Sequence, residues 1–303
     1  MRCFTDPENG WELVWRRPDP RLWPGVVQYR GYRLALREPR RRLEIPDGAV
    51  TLVLPFENRL LTSDVAAPTG PGGGPVRQPP VEHRTGLLSA LRTGPTLGEH
   101  SGHLHGVEVA MTPWAAYTLF GMPMHEWAGR IVDPADLAGR RVGRLGEALA
   151  CLPDWEGRFT LLDAELCRWW REGPEPSPRV VWAWNELRRT GGAVPIGRLA
   201  ERTGWGWRQF DGHFRSQIGL PPKVVARILR LHRALRLLLG GTAGASAAAL
   251  CGFSDQAHMS REVRRMTGFP PSRLLPARLP VPADPLFQDR IRGRVTSFGW
   301  PGP

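Results

Sequence analysis

Cysteine is scarce in this chain. Its four cysteines, Cys3, Cys151, Cys167 and Cys251, are scattered with no C-x-x-C pair, which argues against a disulfide scaffold or a structural zinc knuckle. No stretch approaches 18 consecutive apolar residues, so a transmembrane helix and a membrane partner are not expected. The opening residues, Met1-Arg2-Cys3-Phe4-Thr5-Asp6-Pro7-Glu8, hold no apolar segment of a secretory signal, and a reduced, cytoplasmic chain is expected. Paired carboxylates, Ser-His-Asp spacing, a P-loop and a dinucleotide fingerprint are all missing. The chain therefore reads as a non-enzyme with no cofactor. Lysine is nearly absent as well: Lys223 is the single lysine among 41 basic residues.

Glycine (35) and proline (31) are plentiful in the 303 residues, so long uninterrupted helices cannot fill the chain, while 41% apolar residues still permit sizeable cores. The net charge is +12, and it is unevenly placed. Residues 176–279 hold 17 basic and five acidic residues (Glu186, Glu201, Asp211, Asp255, Glu262), whereas the rest of the chain balances at 24 of each. A GC-rich genome explains arginine in place of lysine. It does not explain why one third of the chain carries the whole excess, which is the electrostatic footprint of a polyanion-binding module.

Along the chain, residues 1–65 read as turns and short strands, with apolar runs at 43–45 and 50–54 separated by the turn Pro46-Asp47-Gly48. Segment 66–80 is low in complexity and is expected to be a flexible loop. Strand-like pieces resume at 87–91 and 107–111, and 113–121 reads as a helical turn closed by glycine. From about Met124 the period is helical. Three prolines within 171–178 suggest a linker. The expected class is α+β, with a β-rich domain at 1–125, a helical extension at 126–171, a linker at 172–179, an all-α unit at 180–279 and a loose, proline-rich tail at 280–303.

A duplication lies inside the basic segment. Leu199-Ala200-(x3)-Gly204-Trp205 is echoed by Ala247-Ala248-(x3)-Gly252-Phe253. Phe210 and Phe214 are echoed by Met259 and Val263, and Gly219-Leu220-Pro221-Pro222 by Gly268-Phe269-Pro270-Pro271. Two copies of helix, glycine turn and helix read as a tandem helix-turn-helix. The i, i+4 pairs bury one side of each second helix, leaving Arg208, Asp211 and Arg215, or Gln256, Ser260 and Arg264, outward. Between the copies, Val224, Ile228, Leu231, Leu235 and Leu238 predict one helix of about 18 residues, roughly 27 Å long. Such a strut would space the two reading helices about one DNA turn apart.

At these residues the segment resembles the AraC/XylS family of bacterial transcription regulators, over about 100 residues from 180 to 278. The more specific stretch is Cys251-Gly252-Phe253-Ser254-Asp255-Gln256-Ala257-His258-Met259-Ser260-Arg261-Glu262-Val263, followed by Gly268-Phe269-Pro270-Pro271. The resemblance implies sequence-specific binding of promoter or operator DNA by two helices in successive major grooves. It places Gln256, Ala257, Ser260 and Arg261 at base-reading positions, with Arg208, Asp211 and Gly212 as their counterparts in the first unit. It implies RNA polymerase as a partner and leaves room for a small-molecule effector and a homodimer. The family usually has arginine where this chain has Gly212, and Ser or Thr where it has Gly206. Gly244 and Ala247 stand where larger aliphatic residues are usual, which predicts a thinly packed, weakly ordered second unit. Segments 45–54 and 106–124 resemble the sensor-like region that precedes this pair in many actinobacterial-type regulators. That implies a β-rich domain, with a cupin-like barrel among its forms, for effector sensing or dimerisation.

One competing reading rests on His100, His103 and His105, whose H-x-x-H-x-H spacing suits a metal-binding β-barrel sensor or enzyme with DNA binding secondary. A repair methyltransferase fused to the same DNA-binding pair would need clustered cysteines, and Cys3, Cys151 and Cys167 are too far apart in sequence. The aromatic residues Trp169, Trp170, Trp182 and Trp184 are expected in packing. Trp205 is expected to anchor the first turn, Trp207 to lie near sugar and phosphate, and His258 to be structural.

Overall fold

The computed structural model describes residues 1–8, 10–57, 59–66, 75–83, 85–278, 289, 291 and 294–302. The N-terminal part supplies β1 (Arg2–Asp6), β2 (Trp11–Arg16), β3 (Val26–Ala35), β4 (Arg40–Glu44), β5 (Val50–Glu57), β6 (Leu60–Ala66), β7 (Val76–Arg77), β8 (Val81–His83), β9 (Leu87–Ser89), β10 (Thr96–His100), β11 (His103–Met111) and β12 (Ile131–Val132). The helices are α1 (Pro113–Phe120), α2 (Pro134–Ala138), α3 (Arg140–Cys151), α4 (Trp155–Glu172), α5 (Pro178–Arg189), α6 (Ile196–Thr203), α7 (Trp207–Ile218), α8 (Pro222–Leu239), α9 (Gly244–Leu250), α10 (Gln256–Thr267) and α11 (Pro271–Leu274). A last strand, β13 (Ser297–Gly299), closes the described chain. The class is α+β, as the composition and periodicity predict.

The strands form two antiparallel sheets. The first runs β1-β2-β3-β11-β5-β9-β12, and the second β13-β4-β10-β6-β7 with β8 also on β6. Strand periodicity sends alternate side chains to opposite faces. In β3, β5 and β11, Tyr32, Leu34, Thr51, Val53, Leu104 and Glu108 face a cavity between the sheets. Tyr29, Leu52, Leu54, Val107 and Val109 join the helical core on the other side. The central strands are therefore buried on both faces, which is why 50–54 reads as a β-branched and apolar run without strict alternation. Gly31 makes the helical layer possible: a Cβ there would sit 2.4 Å from the Trp155 ring of α4. Tyr29 stacks on Phe159 of the same helix at 5.8 Å, and its hydroxyl donates to Asp163 at 2.9 Å.

One continuous core joins the first sheet, α1, α3 and α4 to the first helix-turn-helix, taking in Trp184, Leu199, Phe210, Phe214 and Ile218. A separate core joins the outer face of the second sheet (Leu43, Ile45, Val65, Leu97) to the second helix-turn-helix (Ala247, Ala248, Met259, Val263, Phe269). Two expectations are corrected here. The second unit is not left uncovered: Ala247 and Ala248 are buried, in the same core as Leu235 of α8 and the distant strand residues. The chain end is not loose where it is described, because β13 pairs with β4, Phe298 opposite Leu43, and buries Phe298 in the same core. Positions 280–288, 290, 292, 293 and 303 of the expected tail lie outside the described residues, as do 67–74 of the expected flexible loop. At that loop's far end Val76–Arg77 pairs with β6. In the expected linker, the Ser177 N–H donates to the Gln217 side chain at 2.9 Å, tying the connection between α4 and α5 to α7.

Buried histidines make this fold sensitive to acid. Burial holds His83, His105 and His232 below the usual 6.5, and His100 is pushed down to about 4 by burial and then by Arg42 and Arg40. Below pH 6.5 the unfolded chain takes up protons that the folded chain refuses, so stability falls as pH drops from 6.5 towards 4. Thermal unfolding across that window should show the loss, and His100→Asn should make it shallower. An unaltered slope in that variant would remove His100 from the explanation.

Candidate nucleic-acid interface

The second helix of each unit is positioned by a glycine turn. Gly204 and Gly252 have φ of 69° and 72°, a left-handed conformation that costs a residue with a Cβ about 1 kcal/mol or more. That conformation redirects the chain from α6 into α7 and from α9 into α10. In the first unit, Phe210 and Phe214 of α7 are fully buried, and the helix packs on α1 and the turn Met124–Glu126. The opposite side presents Arg208 and Gly212 to solvent. Arg215 and the half-buried Asp211, one helical turn apart, form an ion pair at 2.8 Å. Nothing lies within 4 Å of where a Cβ on Gly212 would point, so this face has open room for a long side chain.

In the second unit Met259 and Val263 of α10 are buried. Gln256, Ala257 and Arg261 are exposed, and Ser260 and Arg264 half-buried, on the other side. Asp255 caps the helix by accepting the His258 N–H at 2.6 Å, and that bond holds its carboxyl below the usual range. The His258 ring closes the cap, with Nδ1 3.0 Å from the Ser254 hydroxyl. His258 thus takes part in the cap.

The predicted residues thus fall into two sets, each along one side of its own helix. The sets are joined by α8, whose 18 residues match the expected strut. Trp205 stacks on His213 at 4.6 Å beneath Arg179 and anchors the first turn. Trp207, at the start of α7, is 51% exposed, which leaves its ring open to solvent. Gln209, beside Arg208, is exposed as well, a residue that the sequence pattern does not single out.

The three histidines do not converge. His100 Nδ1 accepts the Gly102 N–H at 3.2 Å, His103 is exposed, and His105 is walled in by Phe56, Trp155 and Arg158. Among the described residues no group of three or more His, Cys, Asp or Glu is placed to hold a metal ion, and no helix is long and apolar enough to cross a membrane.

Set against known proteins, residues 199–276 match the family described as a helix-turn-helix domain. No curated protein matches the chain. Among solved structures, ToxT from Vibrio cholerae has a TM-score of 0.43 and 8% identity, covering 80% of this chain and 96% of its own. An unsaturated fatty acid-bound ToxT from strain SCE256 has a TM-score of 0.43 and 9% identity, covering 85% and 95%. The AraC-like transcriptional activator CuxR has a TM-score of 0.23 and 12% identity, covering 85% and 81%. The tandem glycine turns and the matched segment together identify residues 199–276 as a helix-turn-helix domain.

Proposed function

We propose that this protein is a transcription regulator that reads promoter or operator DNA with α7 and α10 in successive major grooves. One observation carries the reading. In the one segment holding the chain's charge excess, two helices with buried inner faces present exposed polar and cationic faces from a shared strut. Arg208 and Arg261 are suited to guanine edges, Asp211 and Ser260 to hydrogen bonding, and Ala257 to a thymine methyl, with Arg215 and Arg264 towards phosphate. RNA polymerase as a partner, self-association through the N-terminal domain and a cytoplasmic location belong to the same proposal.

The cavity between the sheets, about 80 Å³, is the proposed effector site. The Thr96 hydroxyl and the Nε atoms of Arg40 and Arg92 are buried there without a protein hydrogen-bond partner, a cost that a small polar ligand or water would relieve. Ile45, Pro46 and Asp47 line the same cavity. His232 of the strut donates from Nε2 to the Pro46 carbonyl at 2.5 Å, so a ligand that shifts this loop would act directly on α8.

Selection of bound duplexes from a random library by the full chain tests the proposal. The expected product is a bipartite site with its halves about one helical turn apart. Gly212→Arg should then tighten binding to the selected site and steepen the log–log salt dependence by about 1, the signature of one added phosphate contact. If nothing is enriched even at low salt, the reading fails.

A further inference from the structure

Gln256 is the first residue of α10, where a reading helix meets base edges, and it is exposed, yet its carboxamide end lies against Gly244 on the first helix of its own unit. The three atoms nearest to where a Cβ on Gly244 would lie are the Gln256 Cδ, Nε2 and Oε1, at 2.7, 2.8 and 3.0 Å. The carboxamide occupies the space that any side chain at 244 would take, and the missing Cβ of Gly244 is what admits it. Gly244 itself has an ordinary helical backbone, without a left-handed φ. A side chain at 244 would therefore meet the Gln256 carboxamide before anything else.

We infer that Gly244 is a specificity-determining residue that withholds Gln256 from the DNA. In the native protein the second unit reads through Ala257, Ser260 and Arg261 while the Gln256 amide stays parked on α9. A methyl group at 244 displaces the amide, and because Gln256 is exposed its end can turn to the exposed face of α10. Glutamine freed there can pair with both the N6 and N7 of adenine. The inference rests on the proposed DNA-reading role and amends one residue of it.

The eviction itself is testable without DNA. In the full chain carrying 15N-glutamine, the side-chain amide signal lost in Gln256→Ala identifies Gln256. Gly244→Ala should shift that signal and narrow it as the side chain becomes mobile. An unmoved signal overturns the inference whatever the DNA results are. Gly244→Ala also removes a glycine from a helix, so the variant is expected to fold.

The consequence is read by selection from a random duplex library. Gly244→Ala should acquire an adenine preference of about 5- to 100-fold at one position of the second half-site, while Gln256→Ala alone leaves the native preference unchanged. The double variant Gly244→Ala/Gln256→Ala should lose the new preference. A relaxed preference in Gln256→Ala alone, or an identical preference in Gly244→Ala, overturns the inference with the DNA-reading role intact. Failure of the unaltered chain to select any sequence removes the role itself, and the amide signal still reports separately on the parking.

Discussion

Phe298→Ala is expected to destabilise the protein by about 3–5 kcal/mol, the range for truncating a buried aromatic residue. The side chain is fully buried and closes the core in which Leu43 and Leu97 of the second sheet meet Met259, Val263 and Phe269 of the second helix-turn-helix. Its backbone is held by β4 on one side and by the Arg278 guanidinium on the other, which donates to the Ser297 carbonyl at 2.9 Å and to Asp289 at 2.6 and 2.8 Å. With those anchors kept, the lost ring leaves a cavity that the walls cannot easily fill. Calorimetry should show the melting point down by roughly 6–20 °C for a chain of this size. Hydrogen exchange should accelerate in α9 and α10 before α5 to α7, since the first unit belongs to a different core. A variant that melts within a degree of the parent would mean that β13 contributes nothing to the second unit.

Arg261→Ala is expected to weaken binding to the selected site by about 1–3 kcal/mol and to relax its preference at one base pair. Arg261 is exposed on α10, one turn beyond Ala257, where its planar fork can meet the O6 and N7 of guanine together. Arg261→Lys keeps the charge and loses the fork, so it should recover the salt dependence but not the base preference. Gel-shift titrations against the selected duplex and its single-base variants, at several salt concentrations, separate the two contributions. Should Arg261→Ala discriminate among those duplexes as the parent does, α10 is not inserted as proposed.

Much of this architecture is legible from neighbouring residues alone. The i, i+4 pairs Phe210/Phe214 and Met259/Val263 identify the buried sides of α7 and α10, and the glycines at 204 and 252 mark their turns. The strands were legible where alternation or β-branching was strong, as in β3 and β5. They were less so at β10, where Thr96-Leu97-Gly98-Glu99-His100 offers one apolar side chain. The histidine triplet shows the opposite failure: its spacing suits a metal, but the hairpin between β10 and β11 directs the three rings to different surroundings.

The amino-acid order by itself determined the two helix-turn-helix units, the length of the strut between them and the location of the positive charge. Each of these depends on contacts or turns within about four residues, or on composition. Only the tertiary structure decided that β13 returns to β4 across more than 250 positions, that the second sheet completes the second unit's core, and that Gln256 lies over Gly244. Pairings of that kind depend on which surfaces meet after the chain has collapsed, and no local pattern of side chains encodes a partner so far away.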